Sequence, residues 1–377
     1  MATVQGYVDA LEEVAQEVIE PDIALVDSGR FPRRAVDSLG SAGLLGLVTS
    51  RDHGGAGLGL REAAVAVERV ARGCASTALV LTMHYCGSAV IEAHGPPEVR
   101  RQIGAGRHLS TLAFSEFGSR SHFWVPLSTA MAADGDSGDV RLDARKSWVT
   151  SAGEADSYVW SSRPLAAEGL STLWLLPKAT DGLEVTGSFD GLGLRGNGSR
   201  PMTATRLRLP AAAILGPDGG GFDVMMRTVL PWFQVLVSAA SVGIMEAATA
   251  KTGAYAAATR LEHLDQTLAD QPVTRAHVAR MRIATDQAQT LVGDTVTAIE
   301  EGRADAQLRV LEVKAAAAES SLMVTELAMR VCGGSAFRRE VGVERQFRDA
   351  RAATVMAPTT DVLYDFIGKA ACGMSLF

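Results

Sequence analysis

The chain has 377 residues, enough for two or three domains and a large buried core. Its 36 Lys and Arg against 43 Asp and Glu leave a formal charge of −7. With no basic block, that balance argues against non-specific nucleic-acid binding, which needs clustered cations to neutralise phosphates. An apolar share of 47% against 21% charged residues excludes a chain disordered throughout.

Residues 4 to about 109 read as helical. Val8, Leu11, Val14 and Val18 recur at three- and four-residue steps, and residues 63–80 carry the same period after the glycine-rich loop 53–59. Residues 73–91 and 228–245 are the longest stretches without a charge. The first holds Ser76, Thr77, Thr82, His84 and Ser88, and the second Pro231, Gln234, Ser238 and Ser241, so both are expected as buried helices and not membrane spans. From about 110 to 216 the texture turns to short β-rich runs (157–161, 171–176, 202–209) broken by Gly, Asp, Ser and Pro. After Phe222 three long helices are predicted, at about 233–260, 273–301 and 305–331, the last ended by Gly333 and Gly334. The expectation is an α+β chain: an N-terminal helical domain (1–110), a middle β-domain (111–222) and a C-terminal helical bundle (223–377).

Cys74, Cys86, Cys332 and Cys372 lie far apart without a CxxC pair and read as reduced thiols. The first nine residues show no basic region followed by an apolar core, so a cytoplasmic location is expected. Residues 191–196 match GxGxxG, but Asn-Gly-Ser-Arg-Pro follows where a dinucleotide site needs a helix, so the match is set aside. The seven histidines show no metal-ligand spacing, and no GxSxG elbow or P-loop occurs.

Several segments, taken in order, resemble the acyl-CoA dehydrogenase family. Phe31-Pro32, the run LGSAGLLGL at 39–47 and His53-Gly54-Gly55 resemble its N-terminal pattern. LAFSEFGSRSH at 112–122 resembles the "TEPxAGSD" segment that leads into the β-domain, and KSWVTSAGEADSY at 146–158 the "KxWITNGxxAD" strand and turn. Gly193-Leu-Arg-Gly196 resembles "GxRGS". Lys314, Cys332-Gly333-Gly334, Glu344-Arg345 and Arg348-Asp349-Ala350 follow the family's "AK…GGxG…ER…RDA" order.

The resemblance implies an acyl-CoA dehydrogenase fold: a helical domain, a β-barrel and a four-helix bundle. It implies FAD as cofactor, a homodimer or homotetramer, an acyl thioester substrate and an electron-transfer partner, with neither nucleic acid nor membrane involved. Leu112, Phe114, Ser115, Trp148, Thr150, Thr359 and Asp361 would contact the flavin, and Gly333 and Gly334 a neighbouring subunit's FAD. Ser121, Phe233 and Gln234 would lie on the substrate side, with Phe233 and Phe117 edging a pocket for an unusual or bulky acyl group.

The chain departs from the pattern at its catalytic centre. Where the family carries "YEGT", with Glu as base, the sequence reads Met356-Ala357-Pro358-Thr359. The other position that some members use for the base, at the start of the first C-terminal helix, is Phe233, followed by Gln234 where an Arg is expected. The "RxxFG" that helps hold a neighbour's FAD is absent at 259–264. Removing an α-proton needs a poised base, typically worth about 10²–10⁴-fold. Three readings stay open: dehydrogenation with a non-standard base, other flavin chemistry such as monooxygenation or elimination, and a non-catalytic flavin-binding partner subunit. His84 and Tyr85 are candidates for the acyl pocket, to be weighed against a plain core role.

Overall fold

The computed structural model describes residues 4–119, 122–133 and 139–376. The N-terminal part is α1 (Val4–Val14), α2 (Ile23–Asp27), α3 (Arg33–Ser41), α4 (Leu60–Gly73), α5 (Ala75–His94) and α6 (Pro97–Gly104). α4 starts where the Glu62 carboxylate accepts the Gly59 amide, satisfying one of the donors that every helix start leaves open. α5 is the first charge-free stretch. Its Ala, Val, Leu, Ser and Thr side chains are buried almost all round, as expected of a helix enclosed by others.

Strands follow: β1 (Ser110–Ala113), β2 (Thr129–Ala132), β3 (Val140–Val149), β4 (Ser157–Ser162), β5 (Thr172–Pro177), β6 (Leu183–Val185) and β7 (Arg200–Leu209). They form two sheets, ordered β1-β4-β5 and β2-β3-β7-β6. β4 is buried along its whole length, whereas β3 alternates in and out over its first six residues. The two sheets come together where Glu116, just after β1, bridges to Lys146 of β3.

The rest is helical apart from one small hairpin. α7 (Gly221–Val224) runs through a π-turn (Met225–Val229) into α8 (Leu230–Ala258). The hairpin β8 (Arg260–Leu261) and β9 (Gln266–Thr267) leads to α9 (Pro272–Glu300) and α10 (Ala306–Cys332), then α11 (Val343–Val355) and α12 (Thr360–Ala371). The three long helices match their predicted spans to within three residues. The segment Gly221–Ala258 is long and apolar enough to cross a membrane, but 67% of its apolar window is buried inside this protein.

α11 ties the three parts together. Its Arg348 pairs with Asp27 of α2 at 2.8 Å and also donates to the Leu192 carbonyl at 3.2 Å. Asp349 accepts the Leu194 amide at 2.7 Å. The loop can come this close because Gly193 has no side chain: a Cβ there would collide with the Arg348 carbonyl.

Candidate active site

The β-domain builds its part of the site on a buried ion pair. Lys146, on β3, is fully buried, and its Nζ donates to the Glu116 carboxylate at 2.5 Å and to the Ser161 carbonyl at 2.7 Å. Glu116 also accepts from the Leu127 and Ser128 amides and the Ser128 hydroxyl. Burial opposes ionisation of Glu116, but the ammonium and these donors outweigh it and hold its carboxyl below the usual range. Burial pulls the Lys146 ammonium below its usual range against the attraction of Glu116. The Ser147 amide donates to the Ser115 carbonyl at 3.0 Å, so Ser115 and Trp148 sit one and two residues from the clamp.

Trp148 is 61% exposed, with Phe189 edge-on at 6.1 Å. A strand indole left this bare has apolar ring area available for stacking. Thr150 is buried, its hydroxyl 3.1 Å from that of Ser199. Leu112 and Phe114 are buried, and Phe114 stacks on Phe123 at 6.2 Å, so little of either side chain is open to a ligand. From Phe123 the aromatic row continues through Trp124 to Phe366 of α12. There a cleft of about 390 Å³ opens between the β-domain and α12, lined by His122, Trp124, Asp361, Asp365, Phe366 and Lys369. Thr359 precedes α12 and is half-buried. Ser121 lies outside the described residues.

On the helical side Ala357 is half-buried between two fixed carbonyls. Lys314 of α10 donates to the Met356 carbonyl at 2.9 Å and the Pro358 carbonyl at 2.7 Å. Burial alone lowers this lysine to about 7. Phe233 and Met356 both pack on the cluster of Val237, Ala318 and Ala353, which brings the start of α8 to the loop at Ala357. Gln234 is fully buried. Neither base position carries a group able to take a proton.

Gly333 and Gly334 lie apart from this cleft, exposed at the end of α10. Gly333 has φ +57°, and a Cβ on either glycine would meet nothing within 4 Å. Arg260, in the segment where "RxxFG" is missing, pairs with Asp265 in the β8–β9 turn.

His84 and Tyr85 take the core role. His84 Nε2 lies 2.8 Å from the Leu45 carbonyl and its Nδ1 accepts the Ser110 amide at 3.1 Å, while burial lowers its pKa to about 4. Tyr85 donates to the Leu44 carbonyl at 2.8 Å. Sequence reasoning did not single out Lys314 as the holder of the Ala357 loop. The available signal is its place in the "AK" motif, a cation between Val313 and a run of four alanines on α10.

The residues present fit a flavin in two respects: a bare indole beside a rigid donor-bearing strand, and an open cleft where the β-domain meets α12. Comparison with known proteins agrees. Residues 3–105, 111–207 and 219–372 match the N-terminal, middle and C-terminal domains of acyl-CoA dehydrogenase. The mitochondrial short-chain specific acyl-CoA dehydrogenase of Homo sapiens is 29% identical over 371 residues, 96% of this chain and 88% of that one. Cyclohex-1-ene-1-carbonyl-CoA dehydrogenase of Geobacter metallireducens is 28% identical over 376 residues, 96% of each. The structure of butyryl-CoA dehydrogenase from Megasphaera elsdenii superposes with a TM-score of 0.90 at 22% identity, covering 98% of both chains.

With three consecutive domain matches covering nearly its whole length, the chain belongs to the acyl-CoA dehydrogenase family. It is accordingly an FAD-dependent oxidoreductase of the class that acts on CH–CH bonds of acyl thioesters.

Proposed function

We propose that the chain dehydrogenates an acyl thioester, CoA- or carrier-bound, across its α,β bond, using a base other than the family's glutamate. The carrying observation is the Met356–Ala357–Pro358 loop, held rigid by Lys314 and facing the start of α8, with no carboxylate at either base position. FAD, when bound, supplies the acceptor for the β-hydrogen as hydride. This chain's own residues orient and enclose. The Glu116–Lys146 clamp fixes Ser115 and Trp148 against the cofactor, Thr150, Thr359 and Asp361 border it, and Phe233 limits the acyl end of the pocket. Ser121 belongs to the thioester side in this reading. Gly333 and Gly334 serve the FAD of a second subunit in a homodimer or homotetramer, an electron-transfer partner reoxidises the flavin, and the enzyme works in the cytoplasm. Domain limits near 110 and 222 go with this assignment.

An anaerobic titration of the flavin-loaded protein with saturated acyl-CoAs tests it. Bleaching of the flavin absorbance by at least one thioester is expected. A flavin that only shifts its bands, while the thioester binds, would refute dehydrogenation. That result would favour the second reading, oxygen-dependent or eliminating chemistry on the same scaffold, which the absence of a carboxylate at 357 and 233 also suits.

A further inference from the structure

Two fully buried polar side chains near the proposed acyl pocket have no hydrogen-bond partner. One is Gln234 of α8, unpaired at both its amide nitrogen and its amide oxygen, and the other is the Thr82 hydroxyl of α5. Leaving such groups unpaired away from water is costly, and native proteins seldom do so without a ligand or an ordered water to complete them.

Both stand one helical step from side chains that meet at the same place. Val237, three residues after Gln234 and so on its side of the helix, clusters with Ala318 and Ala353, and Phe233 and Met356 pack on that cluster. Leu79, three residues before Thr82, clusters with Leu194, Ile244 and Ala350, and there Met83 and again Met356 pack. Met356 therefore joins the α5 side carrying Thr82 to the α8 side carrying Gln234, and the next residue is Ala357. Met83, Phe233, Met356 and Ala357 are only half-buried. The π-turn at Met225–Val229, a feature frequent at functional sites, lies immediately before this stretch.

The amide is neutral and offers one group that donates and one that accepts. The cation at this loop, Lys314, is committed to two carbonyls. That chemistry suits a hydroxyl better than a carboxylate. Building on the thioester reading above, we propose that Gln234, assisted by Thr82, selects an acyl chain bearing a hydroxyl group, so that the preferred substrate is a hydroxyacyl thioester and not a plain fatty acyl one.

The test compares calorimetric binding of butyryl-CoA with that of 2- and 3-hydroxybutyryl-CoA to the flavin-loaded protein, as wild type, Gln234→Leu and Thr82→Val. Wild type is expected to bind one hydroxyacyl thioester about tenfold or more tighter than butyryl-CoA. Gln234→Leu should bring that ratio to near one, and Thr82→Val should reduce it in part, with melting temperatures equal to or above wild type. A wild-type ratio near one would overturn the inference and assign the amide to an ordered water. A ratio that survives in Gln234→Leu would overturn it as well. If none of the thioesters binds wild type, the thioester reading itself falls and takes this inference with it.

Discussion

Lys314 shows what burial does to a lysine with no carboxylate to meet. Its ammonium serves the backbone on both sides of Ala357, and desolvation makes the proton easier to lose. Lys314→Met would leave two carbonyls unpaired, at an expected cost of about 1–3 kcal/mol in a urea melt. The neighbouring Ala357→Glu asks a different question, because it places a carboxylate on the loop that Lys314 holds. If proton removal limits the reaction, flavin bleaching by butyryl-CoA should quicken by about 10²–10⁴-fold. An unchanged single-turnover rate would mean that a base elsewhere already suffices.

Among the helices, α11 carries the junction of all three parts, and its Asp349 makes that junction sensitive to pH. Burial raises this carboxyl to about 6, against the pull of the Leu194 amide and of Arg345 and Arg348. Between about pH 4 and 6 the folded state therefore holds a proton that the unfolded chain has released, so this group's contribution to stability falls as pH rises through that window. Asp349→Asn keeps an acceptor for Leu194 and does not titrate. Relative to wild type, the variant should gain up to about 2–3 kcal/mol as pH climbs from 4 to 7, read as the difference between paired thermal melts. Comparing the pair removes the opposite trend from His84, whose lowered pKa makes stability rise with pH between about 4 and 6.5. The β-domain clamp behaves differently, since both of its partners are buried. Lys146→Met alone would strand the Glu116 charge and is expected to cost about 3–5 kcal/mol, measurable by denaturant titration.

For the whole molecule, the proposal that a second subunit's FAD reaches the end of α10 can be tested at one residue. Gly334 allows a clean test, because a Cβ there meets nothing in its own chain and the residue needs no left-handed backbone. Gly334→Val should therefore leave the fold of each chain intact. If a second subunit's FAD packs at this point, the variant will purify with a lower ratio of flavin absorbance to protein, and light scattering will show whether the assembly persists. Full flavin content would overturn a shared FAD contact at this point.

Much of the architecture was legible before any coordinates. The charge-free stretches, the 3.6-residue period of the long helices and the switch to short β-rich runs are local properties of the chain, and α5, α8, α9, α10, β4, β5 and β7 follow them closely. The order of motifs carried the family and its cofactor for the same reason, since each motif is a short contiguous string whose turn or strand forms locally. Which side chains meet was not legible. Lys314 and Met356 are 42 positions apart, Asp27 and Arg348 are 321 apart, and only the folded chain brings them together. Whether a polar residue is satisfied is likewise a property of its surroundings. His84 and Gln234 are both buried, yet the first finds two backbone partners and the second none. Period and composition report which face of a helix turns inward, while the partner waiting there is set by packing across the domains, and that difference separates a paired core histidine from a buried glutamine without a partner.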